Sequence, residues 1–204
     1  MSRSCKDNSL IYQMFTDLVY CTNISQHIML NDYFYNVVIE TKKQNLNPAT
    51  DWRCDTFNTA KYLNLNNDEN FIIILESIKK EIIKFSKDFG VLTDNVICTE
   101  SWINLSEPGN YQEYHMHPSS HFSIVYYIKA PVKGGDIVFR SHESMSDMFP
   151  IPADILTPAN CKTYSYVPKD NDLLIFRSNL NHMVEKNMSQ EDRVSISANF
   201  YLQR

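Results

Sequence analysis

Glycine is scarce in this chain. Only Gly90, Gly109, Gly134 and Gly135 occur in 204 residues, where average usage of about 7% would give about 14. No window holds the closely spaced glycines of a dinucleotide fingerprint or a phosphate-cradling P-loop, which excludes nucleotide chemistry of those kinds. Cysteine is sparse and odd in number: Cys5, Cys21, Cys54, Cys98 and Cys161 include no C-x-x-C pair. That pattern predicts reduced thiols and argues against a thiolate zinc site. Positive charge is also short. Lys plus Arg number 19 against 24 Asp plus Glu, a net charge of −5, so no basic footprint points to nucleic acid. Long apolar runs are missing as well: the stretch 71–75 falls far short of the roughly 20 residues that cross a bilayer. Residues 1–7 carry no apolar segment of the kind a secretory signal needs. These absences predict a cytoplasmic protein with neither a nucleic-acid nor a membrane partner.

What is present suffices for one packed domain. The chain is 43% hydrophobic and 12% aromatic, and its length fits a single domain with a helical elaboration. In residues 1–94 the pattern is mainly helical. Phe71, Leu75, Ile78, Ile82, Phe85 and Phe89 recur at three- and four-residue steps, one face of an amphipathic helix. Asn66, Asn67 and Asp68 offer caps at its start, and Gly90 is placed to end it. A weaker helical pattern covers 31–44. From residue 95 to the end, short β-branched and aromatic runs take over, at 95–105, 111–117, 121–130, 136–140, 162–167, 172–177, 183–186 and 193–202. Pro-Gly, Pro-Ser-Ser, Lys-Gly-Gly and Asn-Asp-Asn separate them as turns. About eight short strands in this space predict a sandwich or jelly roll. The Pro-rich piece 141–160 reads as a long loop, either a lid or a surface insertion.

The chemistry concentrates at Tyr111-Gln-Glu-Tyr-His-Met-His-Pro. In a strand, His115 and His117 share a face, and two imidazoles so spaced can chelate a metal. A third ligand must come from elsewhere, and His182, after an apolar strand, is the candidate. His27 and His142 read as ordinary solvated or hydrogen-bonded histidines, while Pro118 leaves the facing of His121 open. Further on, Arg193, Ser195, Ser197 and Asn199 share one strand face. That is ordinary for a half-exposed strand. If the face instead lines a barrel interior, the guanidinium needs an anion, and a ligand carboxylate fits its planar fork.

The ordered set Trp102-Ile-Asn104, His115-Met-His117-Pro, Ser123-Ile-Val-Tyr-Tyr127, Gly134-Gly135-Asp-Ile-Val-Phe, Leu173-Leu-Ile-Phe176, His182 and Arg193-Val-Ser195 resembles the iron(II)/2-oxoglutarate-dependent oxygenases. It is most similar to small oxygenases of bacteria and marine phages related to prolyl hydroxylases. The resemblance covers about residues 95–202. It implies a mainly β fold with flanking N-terminal helices, in which a double-stranded β-helix (jelly roll, cupin-like) carries the catalytic core. It further implies Fe(II) held by His115, His117 and His182, with 2-oxoglutarate and O2 as cosubstrates. Arg193 would bind the distal carboxylate of 2-oxoglutarate, assisted by Ser195, Tyr127 and, more weakly, Asn104. The implied reaction hydroxylates a C–H bond of a small-molecule or peptide substrate, proline foremost, and releases succinate and CO2. Two positions depart from the pattern: His117 stands where a carboxylate is usual, and Ile124 where relatives tend to have glycine. Two other readings stay open. One is a cupin metal enzyme or sensor without 2-oxoglutarate, with His121 as a fourth ligand; the other is a non-catalytic jelly-roll module. Trp102, Tyr114, Phe122 and Tyr126 are candidates for a substrate groove or for core packing.

Overall fold

A computed structural model describes residues 2–4, 10–12, 17–45, 56–142, 152–155, 157 and 160–203. The expected loop at 141–160 lies largely outside the described residues. Strands β1 (Ser2–Ser4) and β2 (Leu10–Tyr12) form a separate antiparallel pair. Then come β3 (Val19–Asn23), helix α1 (Asn31–Gln44), β4 (Phe57–Asn58) and helix α2 (Glu69–Ser86). The barrel strands follow: β5 (Val96–Ser106), β6 (Gln112–His115), β7 (Phe122–Lys129), β8 (Ile137–Arg140), β9 (Thr163–Tyr166), β10 (Asp172–Arg177), β11 (Asn181–Val184) and β12 (Arg193–Leu202).

Both helices form where the apolar periodicity requires. The Asp68 carboxylate accepts from the Phe71 amide as the cap of α2, satisfying one donor that the first helical turn leaves open. Gly90 adopts φ 69° after the short turn that closes the helix, a left-handed conformation that costs glycine little. Phe71, Ile74, Ile78 and Ile82 are fully buried along α2.

Two sheets result, a larger one in the order β3-β10-β7-β12-β5-β4 and a smaller one in the order β6-β11-β8-β9. All pairings in both are antiparallel. Period-two alternation divides the larger sheet cleanly. Ile124, Tyr126 and Ile128 on β7 join Val194, Ile196, Ala198 and Phe200 on β12 in the core packed with the helices. On the opposite face, Tyr127 packs with Ile137, Phe139, Leu174 and Phe176 in a second core between the sheets. Ile124 therefore belongs to the helix layer, and its bulk does not narrow the barrel interior. Phe122 and Tyr126 also serve this core, while Tyr114 is exposed with Arg140 over its ring. One buried polar cluster bolts α1 to the sheet: the Tyr126 hydroxyl lies 3.0 Å from both Asn31 Oδ1 and Asn171 Oδ1.

The expected strands are present with ends shifted by a few residues. The shift matters most at β11, which starts at Asn181, so His182 stands in the strand and not in the turn before it. β3 and β4 were not expected; they add one strand to each edge of the larger sheet. β12 carries register shifts at both ends of its polar face, between Val194 and Ser195 against β7 and between Asn199 and Phe200 against β5.

Ile78 is wholly enclosed between α2 and the sheet. Truncation to alanine is expected to cost about 2–5 kcal/mol through lost burial and a residual cavity. A urea titration of Ile78→Ala should show a lower midpoint with an unchanged slope.

Candidate functional site

The two sheets enclose a cavity of about 510 Å³ whose lining includes His115, His117, His182, Tyr127, Arg193 and Ser195. His115 and His182 are cross-strand partners on β6 and β11. Beyond them the register slips: Val184 pairs with Gln112, so β6 carries an extra residue. Such a bulge re-aims side chains, and here Gln112 and His115 both line the cavity although three positions separate them. β6 ends at His115, so His117 lies just past the strand. Its amide donates to the Ser178 carbonyl at 2.8 Å, which holds it beside the other two.

The three imidazoles form one cluster, with ligand atoms all within 4.8 Å of one another. Ring centroids stand 4.2 Å apart for His115–His182, 5.0 Å for His115–His117 and 5.2 Å for His117–His182. Two rings are oriented by the same local device. His115 Nδ1 lies 2.7 Å from the Glu113 carbonyl oxygen, and His182 Nδ1 lies 2.9 Å from that of Leu180. A carbonyl only accepts, so each Nδ1 carries the proton and each Nε2 keeps its lone pair. Burial lowers all three pKa values; His117 falls to about 4, with the neighbouring His115 charge adding to the effect. Neutral imidazole is the form that binds a transition metal.

Arg193 is 3% exposed, and burial lowers its pKa. Its guanidinium donates to the Gly134 and Gly135 carbonyls at 3.4 and 3.2 Å and to the Ser106 hydroxyl at 2.9 Å. No carboxylate of the described residues pairs with it. Gly135 takes φ +95°, and a Cβ there would collide with the Glu185 carbonyl oxygen. Among the described residues the buried Tyr127 hydroxyl and the Ser195 hydroxyl have no hydrogen-bond partner. Asn104 is already engaged: its Nδ2 donates to Ser197 Oγ (2.9 Å), while its Oδ1 accepts from Trp102 Nε1 (3.1 Å) and Gln112 Nε2 (3.4 Å). A compact, partly orphaned donor set thus faces the same space as the histidines. It suits a dianion chelated to a metal at one end and held at the other.

Other sequence candidates fall elsewhere. His121 accepts from the Leu202 amide at 2.9 Å and stacks on Tyr201, so it is not the fourth ligand that a cupin centre would use. His27 bonds the Ser77 hydroxyl at 2.8 Å, and His142 is not part of the cluster. Ser106, Gln112 and Glu100 were not singled out by sequence. Ser106 and Glu100 were visible only as cross-strand partners of Arg193 and Asn199, a register that sequence does not display.

The double-stranded β-helix thus gathers three neutral histidines and a buried arginine around one cavity. Residues 100–199 match the family described as "Putative 2OG-Fe(II) oxygenase". Over that segment, just under half of the chain, the sequence is that of the iron(II)/2-oxoglutarate-dependent oxygenases, enzymes that use Fe(II) and 2-oxoglutarate. It is similar in fold to a prolyl-4-hydroxylase of Pseudomonas putida at 14% identity, TM-score 0.62, covering 93% of this chain and 95% of that one. A viral collagen prolyl hydroxylase from Paramecium Bursaria Chlorella virus-1, solved with 2-oxoglutarate, aligns at 13% identity and TM-score 0.56, covering 89% and 94%. The epimerase SnoN, solved with Fe3+, alpha ketoglutarate and nogalamycin RO, aligns at 14% identity and TM-score 0.59, covering 91% and 79%. No curated protein matches the sequence. Among the described residues no helix is long and apolar enough to cross a membrane.

The depressed histidine pKa values have a consequence for the metal-free protein. An unfolded histidine takes up a proton near pH 6.5, whereas His117 resists protonation down to about 4. The unfolded state therefore binds more protons in that window, and stability falls as pH drops through it. Thermal melts between pH 7 and 4 should show this loss in the metal-free protein, and His117→Gln should reduce it.

Proposed function

We propose that the protein hydroxylates a C–H bond of an amino-acid or peptidyl substrate, proline foremost, consuming 2-oxoglutarate and O2 and releasing succinate and CO2. His115, His117 and His182 would hold Fe(II), and Arg193 would take the distal carboxylate of 2-oxoglutarate with Tyr127 and Ser195 donating beside it. Asn104, occupied by Ser197 and Trp102, would shape the pocket wall. The observation that carries the reading is the buried Arg193, which has no acidic partner among the described residues and opens on the same cavity as the three histidines. A desolvated guanidinium without a counter-charge is costly, and a carboxylate ligand removes that cost.

When bound, iron would use O2 as the oxidant and 2-oxoglutarate as the accompanying electron donor for oxidation of an unactivated C–H bond. The chain's own part is orientation and exclusion of water. The Glu113 and Leu180 carbonyls fix two imidazole tautomers, so the Nε2 atoms of His115 and His182 carry the lone pairs that a metal would take. Arg193 anchors one end of the cosubstrate, which places its other end toward the histidines. A third histidine in place of a carboxylate leaves the centre one unit more positive, and imidazole still suits iron. The prolyl preference rests on likeness in fold to prolyl hydroxylases.

Anaerobic Fe(II) plus 2-oxoglutarate should give a visible charge-transfer band. Arg193→Ala should weaken 2-oxoglutarate binding by about 30-fold or more, as expected for stripping a buried charge pair of one member. An unchanged titration in Arg193→Ala would remove the clamp. Substrate-stimulated succinate formation over prolyl peptides and free amino acids then tests the substrate class.

A further inference from the structure

Beyond the clamp, the ladder between β5 and β12 continues toward the opposite end of the cavity. Arg193 pairs with Ser106, Ser195 with Asn104, Ser197 with Trp102 and Asn199 with Glu100. The same cavity that holds the histidines is lined by Glu100 as well as Arg193. Among the described residues that line it, these two carry the charge, the histidines being neutral. One is a buried cation and the other an exposed carboxylate, separated by six residues of strand, or roughly 20 Å.

The Glu100 carboxylate is held by a chain of buried hydrogen bonds. Asn199 Nδ2 donates to Glu100 Oε2 at 2.9 Å, and Ser123 Oγ donates to Asn199 Oδ1 at 2.7 Å. Ser123 Oγ lies 2.9 Å from the Ser178 hydroxyl. Ser178 is also the residue whose carbonyl receives the His117 amide. Ser123, Ser178 and Asn199 are all 2% exposed or less. An ordinary surface glutamate has no such support. No cation among the described residues pairs with Glu100, so a negative charge is fixed at the cavity rim with one oxygen uncommitted. Between it and the clamp, Trp102 stands with its ring centroid 5.6 Å from that of His117, its indole N–H tied to Asn104.

We propose that Glu100 is the substrate anchor and that the substrate carries a protonated amine, as a free amino acid, a simple amine or a peptide N-terminus does. This rests on the reading of the histidine cluster as the iron centre and deepens it. Glu100 and Trp102 are two residues apart on β5, about 7 Å, so an ammonium at Glu100 places carbon a few bonds away beside His117. The aromatic ring of Trp102 adds a surface that favours cations. The same carboxylate repels anions, which disfavours 2-oxoglutarate at this end and favours it at Arg193. Asn199 acts as a positioning residue, through the oxygen it binds.

The test is anaerobic calorimetry on full-length protein loaded with Fe(II) and 2-oxoglutarate. The probes are free L-amino acids, prolyl dipeptides with a free N-terminus and simple alkylamines, each beside its N-acetyl counterpart. Binding by one or more amines and loss on N-acetylation are expected. Glu100→Gln should weaken that binding at least tenfold and Glu100→Lys should abolish it, while Glu100→Gln still gives the charge-transfer band. Equal binding of acetylated probes, no binding by any amine, or an unaffected Glu100→Gln overturns the proposal. Absence of the charge-transfer band in the parent protein would instead overturn the iron-centre reading itself.

Discussion

Desolvation of one guanidinium constrains much of the barrel interior. Arg193 is buried, with no acid paired to it among the described residues, and a charge in that position survives only where dipoles replace water. The chain supplies them from two directions. The Gly134–Gly135 turn brings two carbonyls, and β5 brings the Ser106 hydroxyl. Two of the four glycines in the sequence are thus spent where the backbone must approach the guanidinium. The remaining capacity of the fork, with the free hydroxyls of Tyr127 and Ser195, is what a ligand carboxylate would complete.

The histidine cluster answers a different requirement. Three imidazoles this close together favour the neutral form, and burial reinforces that by lowering each pKa. Backbone carbonyls two residues upstream set the tautomer of His115 and of His182, so orientation needs no distant side chain. His117 is placed by its backbone instead, through Ser178, which also ends the hydrogen-bonded chain reaching Glu100. The histidine cluster and the rim carboxylate are therefore parts of one hydrogen-bonded frame.

Much of this was legible in the sequence, for physical reasons that also mark the limits. Helix α2 announced itself through a 3.6-residue apolar period with an Asp cap, and β12 through strict alternation from Arg193 onward. Alternation gives the faces of β12 but not their surroundings: the polar face proved buried, not solvated. The two short edge strands escaped because Phe57–Asn58 is too brief to show a period and Val19–Asn23 has little contrast between faces. The bulge in β6 was invisible, since nothing in a single strand records the count on its partner. Glu100 was missed for a similar reason, its supporting amide lying 99 positions away in the chain.

The register shifts at the two ends of the polar face of β12 have a bearing on folding fidelity. Sliding a strand by one residue exchanges its faces. In β12 that error would thrust Arg193 into the helix layer and Ile196 into the cavity. Ladders of uniform pitch would tolerate such a slide at many offsets. A strand notched at Ser195 against one neighbour and at Phe200 against the other fits both at a single offset. The bulges thus act as a key, admitting one threading of the chain and rejecting the inverted barrel before any ligand is present.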